Sequence, residues 1–272
     1  MGQTITGVSL NAANSQLTVT FSEAVYNTNG GSGDLEVADF ALSISGGVAG
    51  VNATPASISS SDPRIWVLGV SISGTADGGE TLTVVPAAVD AIYNGAGNAA
   101  STSQSNNTAS LTEKILPVIS SVSPSSSSSV KVADVGYTLS EAIASGTVKY
   151  TQTGGSSDGS SPHTQSLSGT ELNAGARSLA SLSSAPTLVD GAIYTIYFNG
   201  VDAAGNVASE VSVTSITFDT TVPANFTVGN VITTGGTVVA GQWNPTNTGI
   251  DITVPLANDA SLTGGTLQIR AN

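Results

Sequence analysis

The chain of 272 residues contains no cysteine and one histidine, and only 9% of its residues are charged and 5% aromatic. The lack of cysteine excludes disulfide bonds, thiol catalysis and cysteine-ligated zinc, and one histidine cannot supply a typical His-rich zinc site. No apolar run approaches the roughly 18 residues of a membrane-spanning helix. Residues 1–4 lack the basic and apolar regions of a signal peptide, which predicts an internal segment of a longer protein.

Acidic residues outnumber basic ones by 19 to 6, which gives a formal net charge of −13. This charge would repel nucleic acid and anionic lipid, so we expect neither as a partner. The acidic residues are scattered and form no acidic tail. Such a composition suits a soluble extracellular protein that lives with salt or divalent cations, although a need for solubility explains it equally well.

The hydrophobic content of 39% favours a folded chain, and β-branched residues alternate with polar ones along most of its length. Sustained helical periodicity is missing, so the sequence predicts an all-β protein. The strands predicted in the first half are residues 4–10, 16–21, 40–44, 65–72, 81–85 and 109–115. Those predicted in the second half are residues 118–122, 130–139, 146–152, 192–198, 211–218, 226–232, 250–254 and 265–269.

Three short motifs occur twice in the same order, which indicates a tandem array of one module. They are Ser22-Glu23-Ala24 and Ser140-Glu141-Ala142, Asp77-Gly78 and Asp190-Gly191, and Ala96-Gly97-Asn98 and Ala204-Gly205-Asn206. Pro117 and Pro223 mark the boundaries. The sequence therefore predicts β-sandwiches over residues 1–116 and 117–222 and a partial or truncated third β module over residues 223–272. A half-module would expose sheet edges, so we expect it to pair with its neighbour or with another copy.

These motifs, together with the run Asp77-Gly78-Gly79-Glu80-Thr81-Leu82 and the run Thr217-Phe218-Asp219-Thr220-Thr221, resemble the Ig-like repeats of large bacterial surface proteins. Such repeats occur in S-layer proteins and giant adhesins. The resemblance implies tandem Ig-like Greek-key sandwiches at the bacterial cell surface, outside the cell. It also implies a structural role as a stalk or lattice element, with neighbouring Ig-like modules as partners. The alternative is an adhesion module that binds carbohydrate or protein, with cell-surface glycans or proteins as partners.

The residues that suggest catalysis do so weakly. His163 lies in a polar loop with Asp158, and Ser157 lies in a Gly-x-Ser-x-Gly match that lacks the strand and helix of a nucleophile elbow. We therefore expect a solvated loop with an inert Ser157 and His163. A group of carboxylates at Asp34, Glu36 and Asp39 is also predicted to be solvated, because few aromatic residues are present to hold a sugar. The chain is predicted not to be an enzyme.

Aromatic residues give the binding alternative its support. Trp66 lies in the middle of a predicted strand and is predicted to be a core residue. Trp243 lies in a turn-rich segment, and only this residue and Tyr26 suggest a ligand-contacting surface.

Oxygen-bearing side chains in the second repeat suggest a calcium site at a module junction. Glu141, Asp202, Asn206 and Asp219 are the candidate ligands, since Ca²⁺ binds carboxylate, amide and carbonyl oxygens. In the first repeat the counterpart of Asp202 is Asn94, so any site there, completed by Asp90, should be weaker. An Asx turn explains the same residues without a metal.

Overall fold

The computed structural model describes residues 2–222, 225–256 and 265–270. The chain divides into two compact units, one comprising Met1–Pro117 with Val201–Ala208 and the other Val118–Gly200 with Ser209–Asn272. The first unit therefore ends its main segment at the predicted boundary Pro117. The second boundary residue, Pro223, lies outside the described residues, and the three-module division stays a prediction.

The first unit is built from short antiparallel strands that form a four-stranded sheet, a three-stranded sheet and two small ribbons. In chain order the strands are β1 (Ile5–Leu10), β2 (Gln16–Phe21), β3 (Val25–Tyr26), β4 (Phe40–Ser45), β5 (Gly50–Val51), β6 (Ser57–Asp62), β7 (Ile65–Gly69), β8 (Ile72–Ser73), β9 (Thr81–Pro86), β10 (Tyr93–Asn94) and β11 (Thr108–Ser110). The larger sheet has the strand order β1-β2-β7-β6, and the smaller has the order β11-β9-β4. The ribbons are β10-β3 and β5-β8.

Alternation of apolar and polar residues builds the core of this unit. In β2, Leu17, Val19 and Phe21 are buried while the residues between them are not. Because successive side chains of a strand point to opposite faces, this alternation gives the sheet one apolar face. The rings of Phe21 and Phe40 lie 6.3 Å apart between centroids. These rings belong to different sheets, so the two sheets pack face to face in a sandwich-like arrangement.

The second unit has longer strands, arranged in a three-stranded and a five-stranded sheet. Its strands are β12 (Ile119–Ser123), β13 (Ser129–Val130), β14 (Asp134–Leu139), β15 (Ser145–Gly155), β16 (His163–Ser166), β17 (Gly175–Ser181), β18 (Ala192–Val201), β19 (Val211–Phe218), β20 (Val231–Thr234) and β21 (Gly249–Ile252). The sheet orders are β12-β14-β17 and β13-β19-β18-β15-β16. Strand β13 runs parallel to β19.

The core of the second unit repeats the arrangement of the first. Tyr137 of the smaller sheet and Phe198 of the larger one have ring centroids 6.1 Å apart. Tyr150 and Tyr194 are also fully buried and contribute to the same interior. An aromatic pair thus joins the two sheets in each unit.

The last segment forms a separate two-stranded ribbon, in which β20 pairs only with β21 among the described residues. The strands predicted over residues 226–232 and 250–254 are shifted to residues 231–234 and 249–252. The strand predicted over residues 265–269 is wrong, because the described part of that segment has no regular structure. Threonine, leucine and isoleucine there gave a β signal, but no neighbouring strand pairs with them among the described residues.

The prediction of an all-β protein is confirmed. Helical structure in the described part of the chain is limited to two 3₁₀ turns, Val37–Asp39 and Gly169–Leu172. Neither turn, nor any other described segment, provides a helix with the length and apolarity needed to cross a bilayer.

Candidate functional site

The repeated Ala-Gly-Asn motif forms the same turn twice. In the first copy the backbone N–H of Asn94 donates to the carbonyl of Asn98 at 3.0 Å, and the side-chain Oδ1 of Asn94 accepts the N–H of Asn98 at 2.9 Å. In the second copy Asp202 and Asn206 make the corresponding bonds at 3.0 and 2.8 Å. The predicted Asx turn is confirmed in both copies. The first turn lies between β9 and β11, and the second lies between β18 and β19.

A glycine makes each turn possible. Gly97 has a φ of 81° and Gly205 a φ of 91°, which is the left-handed region that side chains rarely enter. The N–H of each glycine donates to the carbonyl of the first turn residue, Asn94 or Asp202. The two glycines therefore have equivalent roles, as the repeat predicts.

The two turns differ in charge, and the difference centres on Asp202. In the first turn, the Asn94 amide donates to Glu23 Oε1 at 3.1 Å. Asp202 stands at the equivalent position of the second turn, and a carboxylate cannot donate such a bond. Asp202 is buried and belongs with the first compact unit, because Val201–Ala208 are part of that unit.

Within that unit, Asp202 lies beside a second carboxylate, that of Glu113. Oxygens of the two carboxylates lie within 4.8 Å of each other. The Asn206 side-chain amide donates to both, at 2.6 Å to Glu113 Oε2 and at 2.8 Å to Asp202 Oδ2. One neutral amide thus bridges two acids that would otherwise repel each other.

The electrostatics of Asp202 favour its ionised form. Burial raises the pKa of Asp202, but hydrogen bonds from the side chain and backbone N–H of Asn206 outweigh burial and lower the pKa below its ordinary value. A buried, ionised carboxylate next to a second acid is a favourable place for a cation. Glu113 was not among the predicted ligands, because it follows β11 outside any repeated motif.

The other predicted calcium ligands belong to the second unit. Glu141 follows β14 and is partly buried. Asp219 makes its hydrogen bonds within the second unit, where its backbone N–H donates to Val130 and its Oδ1 accepts the N–H of Thr221 at 3.0 Å. Of the four candidates, Asp202 and Asn206 are therefore the two that the first unit brings together.

A second polar cluster, in the second unit, contains the only histidine. His163 Nε2 lies 2.6 Å from Asp158 Oδ2, and the same oxygen accepts the Tyr194 hydroxyl at 2.7 Å. Asp158 is buried, and the His163 side chain is only 14% exposed. The prediction of a solvated His163 is therefore wrong, because the loop folds back onto β18. Ser157 is exposed as predicted.

The cluster holds Asp158 as an anion. Hydrogen bonds from Tyr194 and His163 lower the pKa of Asp158 to about 2, against the opposing effect of burial. Burial raises the pKa of Tyr194 to about 12, with a further contribution from Asp158. In the described part of the chain, Asp158 is the hydrogen-bond partner of the His163 ring, and no serine hydroxyl bonds it. The arrangement anchors a loop and lacks the serine of a triad.

The remaining candidates take structural positions. The Trp66 indole N–H donates to the carbonyl of Pro63 at 3.1 Å, and the ring is buried, so its prediction as a core residue is confirmed. Asp39 Oδ2 accepts the backbone N–H of Glu36 at 2.7 Å and caps a 3₁₀ turn. Asp34 lines an open cavity of about 420 Å³ beside β6. Trp243 is 57% exposed.

Comparison of the chain with models of known protein families and with curated proteins found no match to either.

Proposed function

We propose that the chain is a non-catalytic structural segment of a secreted bacterial surface or adhesin protein, built from tandem Ig-like modules. The observation that carries the proposal is the correspondence of the two repeats in the order of the strands that they share and in turn chemistry. The principal strands of the first unit are β1, β2, β4, β6, β7, β9 and β11, which we letter A to G. Their sheets then have the orders A-B-E-D and G-F-C, which are those of an Ig constant-type sandwich.

The second unit supports the same proposal with a different variant. Lettering β12, β14, β15, β17, β18 and β19 as A, B, C, E, F and G gives sheets A-B-E and G-F-C, the latter extended by β13 and β16. Extension of the G-F-C sheet beyond strand C is typical of variable-type Ig domains. Tyr194, near the start of strand F, accepts the N–H of Val189 through its hydroxyl, and so resembles the tyrosine corner of such domains.

The three repeated motifs occupy corresponding places in the two lettered schemes. Ser22-Glu23 and Ser140-Glu141 follow strand B, Asp77-Gly78 and Asp190-Gly191 precede strand F, and the two Ala-Gly-Asn turns connect strands F and G. Arrays of one such module give a protein length and spacing without a catalytic centre. The predicted extracellular location is part of this proposal, and its support is the acidic composition, with 19 acidic against 6 basic residues, together with the resemblance to surface-protein repeats.

An experimental structure of the chain tests the architecture. We expect residues 2–116 and 118–222 to superpose as two sandwiches that share the Asx turns at Asn94 and Asp202. Placement of these turns between different strands would contradict the proposal. A panel of hydrolase substrates tests the absence of catalysis, and turnover that is lost in His163→Ala while the variant remains folded would also contradict it.

We propose further that Glu113 and Asp202 hold a calcium ion. Both offer the oxygen ligands that Ca²⁺ prefers, and backbone carbonyls or water supply the rest of a shell of roughly six to eight oxygens. Asn206 now presents its amide nitrogen to both acids. Rotation of that amide by a half-turn would present its oxygen instead, so the residues present fit a cation.

Thermal melts with calcium and with a chelator test this site. Because a ligand that binds only the folded state stabilises it, we expect calcium to raise the Tm of the parent chain. Asp202→Asn, which reproduces the residue of the first turn, should abolish the rise. Glu210→Gln serves as a control that removes an exposed acid with no predicted metal role, and Glu141→Gln is a separate arm that tests another of the predicted ligands. An equal rise in Asp202→Asn and the parent would contradict the proposal.

The alternative, a carbohydrate- or protein-binding adhesion module, has one supporting observation, the exposed ring of Trp243. Exposed aromatic rings are typical of surfaces that stack on sugars or contact proteins. A glycan array probed with the parent chain and with Trp243→Ser tests it. Binding that depends on Trp243 would favour this alternative over a purely structural role.

A further inference from the structure

The hydrogen bonds of the ribbon formed by β20 and β21 join its two strands and the residues that flank them. The N–H of Gly229 donates to Thr253, that of Thr253 to Asn230, and that of Thr248 to Thr234. At its tip the Asn247 amide donates to the carbonyls of Gly235 and Thr237. Every hydrogen bond that residues 225–256 make with other described residues stays inside this segment. A two-stranded ribbon of this kind is at best marginally stable alone, so a third strand would stabilise it.

One face of the ribbon carries three exposed apolar side chains beside the buried Thr233. Val231 lies opposite Ile252, and Thr233 lies opposite Ile250, so all four side chains share one face. Val231 and Ile250 are each 50% exposed. Among the described residues neither strand of this sheet pairs with a further strand, which is the arrangement that favours addition of another strand.

The charge distribution decides which partner fits this ribbon. Residues 220–250 contain no Asp, Glu, Lys, Arg or His, whereas the whole chain has a formal charge of −13. Two copies of so acidic a chain repel each other over most of their surfaces, and least where charge is absent. An uncharged strand has no side chain that would form an ion pair with a charged partner. The same strand in a second copy can pair with it about a two-fold axis, because a two-fold interface is self-complementary.

We propose that the ribbon is a self-association site, in which β20 of one copy pairs antiparallel with β20 of a second copy. The pairing produces a four-stranded sheet with the two β21 strands at its outer edges. Asp251, the one charged residue of the ribbon strands, then lies on those outer strands and discourages further addition. The interface is small, so the association is weak and depends on concentration. The proposal is independent of the calcium site.

Sedimentation equilibrium of the full chain tests the proposal over roughly 1 µM to 1 mM, the range of weak complexes. We expect the mass to rise from 26.8 kDa toward twice that value. Because salt screens repulsion between the acidic copies, raising NaCl from about 0.05 to 0.5 M should strengthen the association. A mass that stays at one chain throughout would overturn the proposal.

Substitutions at position 231 locate the interface. Val231→Glu should weaken the association by up to about fivefold, because it places two like charges at the paired strands. Val89→Glu, at another exposed valine in the first unit, is the matched control and should associate like the parent. Circular dichroism and Tm should show both variants folded. An equimolar mixture of Val231→Glu and Val231→Lys should associate again. Association unaffected by Val231→Glu would show that another surface is used and would overturn the assignment.

Discussion

The hydroxyl of Tyr194 donates a hydrogen bond of 2.7 Å to Oδ2 of Asp158, which lies 36 residues earlier in the chain. The same hydroxyl accepts the backbone N–H of Val189 at 3.0 Å. One phenol oxygen therefore joins strand β18, the turn before it and the loop between β15 and β16. This connection restrains a Gly- and Ser-rich loop that has few apolar contacts of its own.

Removal of that hydroxyl should destabilise the second unit. Tyr194→Phe keeps the buried ring but leaves the Val189 N–H without its acceptor, and such a loss costs about 1–3 kcal/mol. Urea denaturation measures the change in the free energy of unfolding. Tyr197→Phe, on the same strand, is the control and should be nearly neutral. Equal effects of the two substitutions would show that the hydrogen bonds of Tyr194 do not stabilise the fold.

The Asp158 cluster should make stability depend on pH at the acid end. The pKa of Asp158 is about 2 in the folded chain, below its ordinary value of about 3.9 in an unfolded chain. The stabilisation is therefore complete above about pH 4 and is lost as the pH falls toward 2. We expect the Tm difference between the parent and Asp158→Asn to shrink over that interval. A difference that stays constant from pH 6 to 2 would contradict this assignment.

Glu80 should contribute more to the stability of the first unit than its other carboxylates. It is 1% exposed, and it accepts N–H groups from Val48, Ala49, Asp77 and Gly78. Burial opposes its ionisation, but these bonds lower the pKa of Glu80 to about 2.

Glu80→Gln replaces one acceptor oxygen with a donor, so at least one N–H loses its partner. Hydrogen bonds to a charged group contribute about 1.5–3 kcal/mol, and we expect a loss of that order in the free energy of unfolding. Chemical denaturation measures it, with Glu210→Gln as an exposed control. An unchanged free energy of unfolding in Glu80→Gln would mean that residues 48–49 and 77–78 hold their positions without the carboxylate.

The two turn glycines should differ in their tolerance of alanine. Both have positive φ, so alanine at either position costs roughly 1–2 kcal/mol in backbone strain. At Gly205 the added methyl group meets open space, whereas at Gly97 it would press on Oδ1 of the exposed Asn29 side chain, which must move away. Gly97→Ala should therefore be the more destabilising. Gly7→Ala, in β1 with open space around it, is the control. Thermal melts rank the three, and the reverse order for the two turn glycines would contradict this account.

The sequence predicts strands well where apolar residues alternate and poorly where pairing alone makes the strand. Residues 16–21 and 211–218 have the predicted bounds of β2 and β19. Strand β6 was missed, because its serine-rich sequence carries no apolar alternation. It is a strand because it pairs with β7, and such pairing depends on tertiary context. Strand β16 was missed for the same reason, and its first residue, His163, was predicted to lie in a loop.

The candidate site was predictable only in part. The repeated motifs located Asp202 and Asn206, because turn chemistry is local and visible in sequence. Glu113 lies 93 residues from Asn206, and nothing in its neighbourhood signals that contact. The buried position of Asp158 could not be predicted either. A Gly- and Ser-rich sequence predicts a solvated loop, and the contact that buries Asp158 comes from Tyr194, which is distant in sequence.

The parallel pairing of β13 with β19 has a mechanical consequence for the second unit. The two strands lie near the start and the end of that sandwich and run in the same direction. A pull applied to the chain on either side of the sandwich therefore slides one strand past the other, and the bonds between them must break together. Peeling, which breaks such bonds one at a time, needs less force. We expect Val130→Pro, which removes one backbone donor at this pair, to lower the unfolding force in single-molecule stretching, and an unchanged force would place the resistance elsewhere.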